Sequence, residues 1–367
     1  MSPDFSYKFY QVTSEAWEAM YQAILLAKFS IYWEIYIFID DDSGKRFIDV
    51  LCKKAEEGLD VKIILDSIGS AGLSADAIAR LRSAGVDFKW YNHLSLEWNL
   101  NNWFRRVWQR NHRKVLIVDE EVAFLGGVNI KANFREWNDV FVRLQGVTLR
   151  RLLRSFAKSY IYCGGDKKKV WRLLHPKLSV EFKDWKDKIK FIMHSPIKLS
   201  RSNVHRVYHN ALAVAKDSFD LISPYYVPDL KFLRLIKQAK KRGVRVNIFL
   251  PERADHKIMD WITGAFFSLT VKAGASVYLL KKMNHGKAFI VDGKSGFVGS
   301  TNFTRRSFSH NEEAGVYFEN TEMVEDLQKM FEGFKLEAEL VDDNYRVKRG
   351  RWERFKDWWW RNFEKYV

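Results

Sequence analysis

The chain carries one nineteen-residue phrase twice. Residues 111–129, NHRKVLIVDEEVAFLGGVN, and residues 284–302, NHGKAFIVDGKSGFVGSTN, align without a gap and share nine positions. An internal repeat constrains a fold more than local propensity does, because both copies must be built alike and must also pack against something. In each copy polar residues and glycines flank an apolar run, the distribution expected of a buried strand with chemistry at its ends.

A second matched pair lies upstream, at 36–66 and 225–251. Each is predicted to run as a strand, an acidic turn, a helix with apolar spacing of three and four, a glycine stop, and a β-branched strand ending at Asp66 or Pro251. A further helix follows in each copy, at 75–91 and 267–280, where Ala-Gly closes the helix before another strand. Two tandem α/β units of one topology result, with parallel strands where helices alternate with them. The length of 367 residues agrees, since single cores stop growing near ~250–300 residues. The polar stretch 163–188, with its glycines and lysine run, marks the join. We expect a first unit over 1–165, a second over 166–335, and a C-terminal helix over 336–367.

Alternation along a strand would put His112 and Lys114 on one face, and likewise His285 and Lys287. Gly126, Gly127 and Gly299 permit close backbone approach, and Asn129 and Asn302 add uncharged donors. Two halves packed face to face would double that set. A doubled set suits transfer at a phosphate ester: one imidazole attacks phosphorus and holds it covalently, while the other protonates the departing alkoxide and then deprotonates the incoming hydroxyl. The lysines and asparagines would neutralise the non-bridging oxygens. Asp139 and Glu313, just downstream, are candidates to fix the imidazole tautomers. Asp119 and Asp292 end the hydrophobic runs and are expected to hold a turn as much as to touch substrate. No carboxylate or His–Cys cluster suggests a metal, and none is needed for this chemistry, so neither metal nor cofactor is expected. His93, His175, His194, His205, His209, His256 and His310 lack repeated context and are taken as ordinary.

The pattern His-x-Lys, four residues, Asp, then Gly-(Gly/Ser)-x-Asn, present twice, resembles the signature of the phospholipase D superfamily. Together with YIFIDDDSG, ILDSIGS, RNHRK, ISPYYVPD and RGVRVNIFLP, it makes residues 15–335 similar to bacterial cardiolipin synthases. The resemblance implies two phospholipase D-like units with mixed sheets flanked by helices, packed as a pseudo-dimer around one interfacial site. It implies that a phosphatidyl group, from phosphatidylglycerol in the simplest case, passes to His112 and then to a second lipid's hydroxyl, with His285 as acid and base. Lys114, Lys287, Asn129 and Asn302, with Gly127 and Ser300, fall on phosphate-binding positions. Asp119 and Asp292 complete the two catalytic sets, and Asp139 and Glu313 are the supporting carboxylates. Many members carry N-terminal transmembrane helices; none is expected in residues 1–367, and the C-terminal stretch is unusual for the family.

Lysine and arginine total 61 against 45 acidic residues, a net charge of +16, so the surface should attract a polyanion. The 14 Trp and 27 Phe favour a bilayer interface over nucleic acid. In the tail, Trp352, Phe355, Trp359, Phe363 and Tyr366 step by three and four, and Arg and Lys occupy the remaining face, as in a helix lying in an anionic interface. Trp98, Trp103, Phe104 and Trp108 lead straight into His112, which suits an entering acyl chain and would also suit a stacked base. The apolar span 21–39 is broken by Lys28, Ser30 and Glu34, so a helix feeding a buried strand fits it better than a membrane crossing. The expected partners are an anionic phospholipid membrane and phospholipid substrates, without nucleic acid. The expected setting is a monomer with an internal pseudo-two-fold, cytoplasmic and peripheral to the inner membrane. Hydrolytic phospholipase D activity is the nearest rival, and a nuclease of the same superfamily is more distant.

Overall fold

Short apolar runs build two sheets of one design in the computed structural model, which describes residues 5–93, 107–175 and 188–341. The first sheet contains β1 (Ser6–Val12), β2 (Ser30–Ile35), β3 (Asp60–Asp66), β4 (Asp87–Tyr91), β5 (Val115–Val118), β6 (Val122–Gly126) and β7 (Asn138–Gln145). The second contains β8 (Ile189–His194), β9 (Ser218–Ile222), β10 (Arg245–Pro251), β11 (Ser276–Leu280), β12 (Ala288–Val291), β13 (Ser295–Gly299), β14 (Glu313–Phe318) and β15 (Ala338–Leu340). Their spatial orders are β1-β7-β6-β5-β2-β3-β4 and β8-β14-β13-β12-β9-β10-β11-β15, identical strand for strand apart from the added edge. Strands β2–β4 and β9–β11 are parallel. The hairpin strands β5–β7 and β12–β14 are antiparallel, so both sheets are mixed.

Side-chain alternation places the layers. Val115 and Ile117 point into a core shared with Ala288, Ile290, Val298 and Val316 of the other half. Leu116 and Val118 point the opposite way, under the first half's helices, and Phe289 and Val291 point under the second half's helices. The molecule is therefore four layers, helix–sheet–sheet–helix, with the inner sheet faces against each other. Helix Asp42–Glu56 starts at Asp41, whose carboxylate accepts from Ser43 and Gly44 N–H, and helix Leu230–Lys241 starts at Asp229 in the same way. Gly274, at φ 114°, ends helix Lys257–Ala273 in the left-handed conformation that the Ala-Gly signal predicts.

Two expectations shift. The strands expected at 36–39 and 225–227 lie earlier, at β2 and β9; the later residues leave the sheet at its C-terminal edge, keeping only the single bridges Phe38–Ile130 and Tyr226–Phe303. The second sheet runs past residue 335, because β15 pairs antiparallel with β11. Most of the expected 336–367 helix, including Trp352, Phe355, Trp359, Phe363 and Tyr366, lies outside the described residues, as do Trp98, Trp103 and Phe104. Span 21–39 is the end of helix Thr13–Leu25 followed by β2, and no described helix is long and apolar enough to cross a membrane.

Candidate active site

Both repeated phrases reach the site just before their strands rather than on them. His112 and Lys114 precede β5, and His285 and Lys287 precede β12. Asn111 Oδ1 accepts from Arg113 N–H at 3.3 Å and Asn284 Oδ1 from Gly286 N–H at 2.8 Å, so each phrase bends through an asparagine turn. His112 and Lys114 both meet the Tyr36 ring, at 5.0 and 5.1 Å. Lys114 Nζ donates to the His112 carbonyl at 2.8 Å, and Lys287 Nζ donates to the His285 carbonyl.

The bent phrases are stitched to the opposite half by backbone hydrogen bonds. His112 N–H donates to the Glu312 carbonyl at 3.0 Å, and Glu312 N–H donates to the Arg110 carbonyl at 2.8 Å. His285 N–H donates to the Asn138 carbonyl at 2.7 Å, and Asn138 N–H donates to the Met283 carbonyl at 3.0 Å. As a result the carboxylates are exchanged between halves. His112 Nδ1 lies 3.1 Å from both Glu313 oxygens, while His285 Nδ1 lies 3.3 Å from Asp139 Oδ2 and 3.1 Å from the Gly127 carbonyl. These acceptors hold a proton on each Nδ1 and leave each Nε2 for chemistry.

The two imidazoles line one cavity of about 310 Å³, together with Asn129 and Asn302. Asn129 Oδ1 accepts from Ile37 N–H at 3.1 Å, leaving the amide nitrogen as donor. Asn302 Oδ1 is buried without a hydrogen-bond partner. The sequence did not single out other walls of this cavity: Tyr36, Trp137, Tyr225, Asp255 and Arg306. Tyr36 meets the His112 ring edge-on at 5.0 Å, and Trp137 lies 5.9 Å from the His285 ring. Tyr36, Tyr225 and Asp255 follow β2, β9 and β10, so their signal was position: loops beyond the C-terminal ends of parallel strands collect ligand contacts.

Four expected site residues have other work. Asp119 and Asp292 sit beyond the far ends of β5 and β12 from the histidines. Asp119 accepts from Lys28, Phe29 and Ser30 N–H, and Asp292 from Lys216, Asp217 and Ser218 N–H, at 2.7–3.2 Å. Three backbone donors use up each carboxylate, so these residues tie turns rather than join the catalytic group. Gly127 is not available as a phosphate cradle either: a Cβ there would stand 2.5 Å from both Asp139 oxygens, so the glycine makes room for that carboxylate. Ser300, its counterpart, donates to Glu313 and accepts from Ala314 N–H at 3.0 Å.

Burial sets the electrostatics. It pushes the His112 imidazole well below its ordinary range, and the charges of Lys114 and Lys287 push it further. Burial lifts the Glu313 carboxyl to about 7, against the pull of Lys114. Burial would raise Asp139 as well, but its hydrogen bond to His285 and the charge of Lys287 outweigh that and hold it below the usual carboxylate range. His285 is lowered by burial and Lys287, while ionised Asp139 pulls the other way. Burial brings Lys287 down to about 8 and Lys114 well below its ordinary value. Both imidazoles are pushed down by burial, and what differs is the partner: His112 faces Glu313, whose carboxyl is lifted to about 7, and His285 faces Asp139, which is held ionised.

A family model described as cardiolipin synthase, phospholipase D-like domain, matches residues 20–161 and 208–335, one segment in each half. The chain belongs to that family. As a member of this phospholipase D-like family of cardiolipin synthases, it is a phosphatidyltransferase. The cardiolipin synthase of Clostridium perfringens is 33% identical over 330 residues, covering 86% of this chain and 67% of that protein. The cardiolipin synthase of Alkalihalophilus pseudofirmus is 30% identical over 318 residues, covering 84% and 62%. The chain thus spans about two thirds of the length of these curated relatives. Among solved structures, the phosphatidylserine synthase of Haemophilus influenzae superposes with a TM-score of 0.70 over 91% of this chain and 87% of its own, at 12% identity, a likeness of fold alone.

Proposed function

We propose that this phospholipase D-like enzyme transfers a phosphatidyl group from phosphatidylglycerol to the glycerol hydroxyl of a second lipid, giving a cardiolipin and free glycerol. The observation that carries this is the pair of imidazoles from different halves, each held at Nδ1 by a buried carboxylate of the other half and both lining one cavity.

In the first step Nε2 of neutral His112 attacks phosphorus, the N–P bond forms, and the bond to the headgroup glycerol oxygen breaks. His285, whose ionised Asp139 stabilises an imidazolium, gives its proton to the departing oxygen. In the second step His285 takes the proton of an incoming lipid hydroxyl, the new O–P bond forms, and His112 leaves. Lys114, Lys287, Asn129 and Asn302 supply charge and donors around the non-bridging oxygens. Their burial excludes water from competing for those contacts.

The net charge of +16 and the aromatic-basic sequence of 346–367 support docking on an anionic membrane face. Co-sedimentation with anionic vesicles should therefore weaken as salt rises, and salt-independent binding would contradict it. For the chemistry, purified protein incubated with phosphatidylglycerol vesicles should yield cardiolipin and glycerol in equal amounts by mass spectrometry. Phosphatidic acid without cardiolipin would make the enzyme a hydrolase.

A further inference from the structure

Two of the histidines that looked ordinary in the sequence meet a carboxylate away from the catalytic cavity. His205 and His209 lie one turn apart on helix Asn203–Val214, on one face, with ring centroids 3.7 Å apart. Asp229, the cap of helix Leu230–Lys241, reaches both: His205 Nε2 to Oδ2 is 2.8 Å and His209 Nε2 to Oδ1 is 3.1 Å. His209 Nδ1 lies 2.8 Å from the His205 carbonyl, which can only accept, so the ring proton sits on Nδ1. In the neutral ring the Nε2 lone pair then faces a carboxylate oxygen. Two acceptors held in contact call for a cation between them, either a second ring proton or a metal ion.

The donor set fits a metal ion. The three ligand atoms lie within 4.8 Å of one another. A single ion at bond lengths of ~2.0–2.2 Å holds tetrahedral ligands about 3.3 Å apart. The backbone carbonyl on His209 Nδ1 and the Phe232 N–H donated to Asp229 Oδ1 at 2.7 Å are outer contacts of the kind that orient metal-bound imidazole and carboxylate. His209 is buried, while Asp229 lines a separate cavity of about 380 Å³, which gives an entry path. Matching Ala27-Lys28 to Ala215-Lys216 puts Trp17 and Tyr21 at the corresponding places in the first half, so the donors are not an echo of the repeat.

We propose that His205, His209 and Asp229 bind one divalent transition-metal ion, zinc by donor type, that pins the two helices behind the second phrase. Tyr208, between the two histidines, donates to the Thr301 carbonyl next to Asn302 at 3.3 Å, and His205 packs edge-on against Phe308 at 5.3 Å. The pin therefore braces the shelf on which Asn302 sits.

The test is zinc uptake by the full chain. Protein stripped with EDTA is dialysed against micromolar ZnCl2, and zinc is counted by plasma mass spectrometry alongside thermal unfolding. Wild type should hold one zinc more than the His205→Asn/His209→Gln double variant, and zinc should raise its melting temperature by several degrees while leaving that of the variant unchanged. Asp229→Asn, which keeps the helix-cap acceptor, should lose the same zinc while remaining folded. Equal uptake by wild type and both variants would place zinc elsewhere and overturn the proposal. A wild type that takes up no zinc, with a cluster stabilised only by acidification, would assign the cation as a proton and overturn it too.

Discussion

Glu313 carries the difference between the two histidines. Its carboxyl is buried, faces His112 Nδ1, and is lifted to about 7, whereas Asp139, in the equivalent place for His285, stays ionised. The shift makes a prediction with a definite sign. In the unfolded chain Glu313 loses its proton near 4.5, while in the folded protein it keeps it to about 7. Wild-type stability is therefore untaxed below pH 4.5, falls through the window from 4.5 to 7, and stays lower above it. Glu313→Gln has no proton to lose. The unfolding free energy of wild type relative to this variant should drop between pH 4.5 and pH 8 by on the order of 1–3 kcal/mol, measured by urea denaturation. A difference independent of pH would mean that Glu313 is ionised in the fold. The variant should also turn over poorly, since an amide cannot offset the charge that develops on His112.

The strand and its turn are the scale at which the repeated aspartates act. Asp119, at φ 52°, and Asp292, at φ 53°, accept three backbone N–H groups each from the segment entering the neighbouring strand, and so fasten β5 to β2 and β12 to β9. Asp119→Ala removes those acceptors and puts alanine in a left-handed turn. It should destabilise by on the order of 3 kcal/mol with activity per folded molecule kept within about threefold, and Asp119→Asn should cost less. Loss of turnover without loss of melting temperature would instead return Asp119 to the catalytic group. Element by element, the sequence was informative wherever information is local: the repeat, the acidic turn before helix Leu230–Lys241, the stop at Gly274 and the apolar run of Val115 to Val118 are all written within a few residues. The exchange of Glu313 and Asp139 between halves was not, because it arises from the packing of one sheet on the other. Nor was the pairing of Asp229 with His205 and His209, which lie 20 or more residues before it. Gly127 looked like a phosphate contact because glycine is ambiguous in sequence: it can admit a ligand or, as here, a neighbouring side chain; Ser300 looked like one because a hydroxyl can serve a phosphate or, as here, a buried carboxylate.

At the scale of the molecule, one buried residue explains why the two phrases differ where the first reads HRK and the second HGK. Arg113 lies 3.5 Å from Glu34, pairs with Glu312, and donates to Ser159 at 2.8 Å and the His194 carbonyl at 2.9 Å, joining both halves. At Gly286 a Cβ would stand 2.7 Å from Val140 Cγ2, so the second copy has no room for a side chain. Arg113→Ala leaves buried Glu34 and partly buried Glu312 without their cation and should cost about 3–5 kcal/mol of unfolding free energy, read from denaturant midpoints; a loss under 1 kcal/mol would mean the halves hold together without it. The same asymmetry reaches its chemical consequence in the proposed roles, with His112 as nucleophile and His285 as acid and base. The most direct measurement is to quench enzyme turning over phosphatidylglycerol into alkaline denaturant, where phosphorylated imidazole survives, and to locate the adduct by peptide mass spectrometry. The account predicts a phosphatidyl adduct on the peptide containing His112, absent from the inactive His112→Ala variant. An adduct on His285 in the wild type would contradict it.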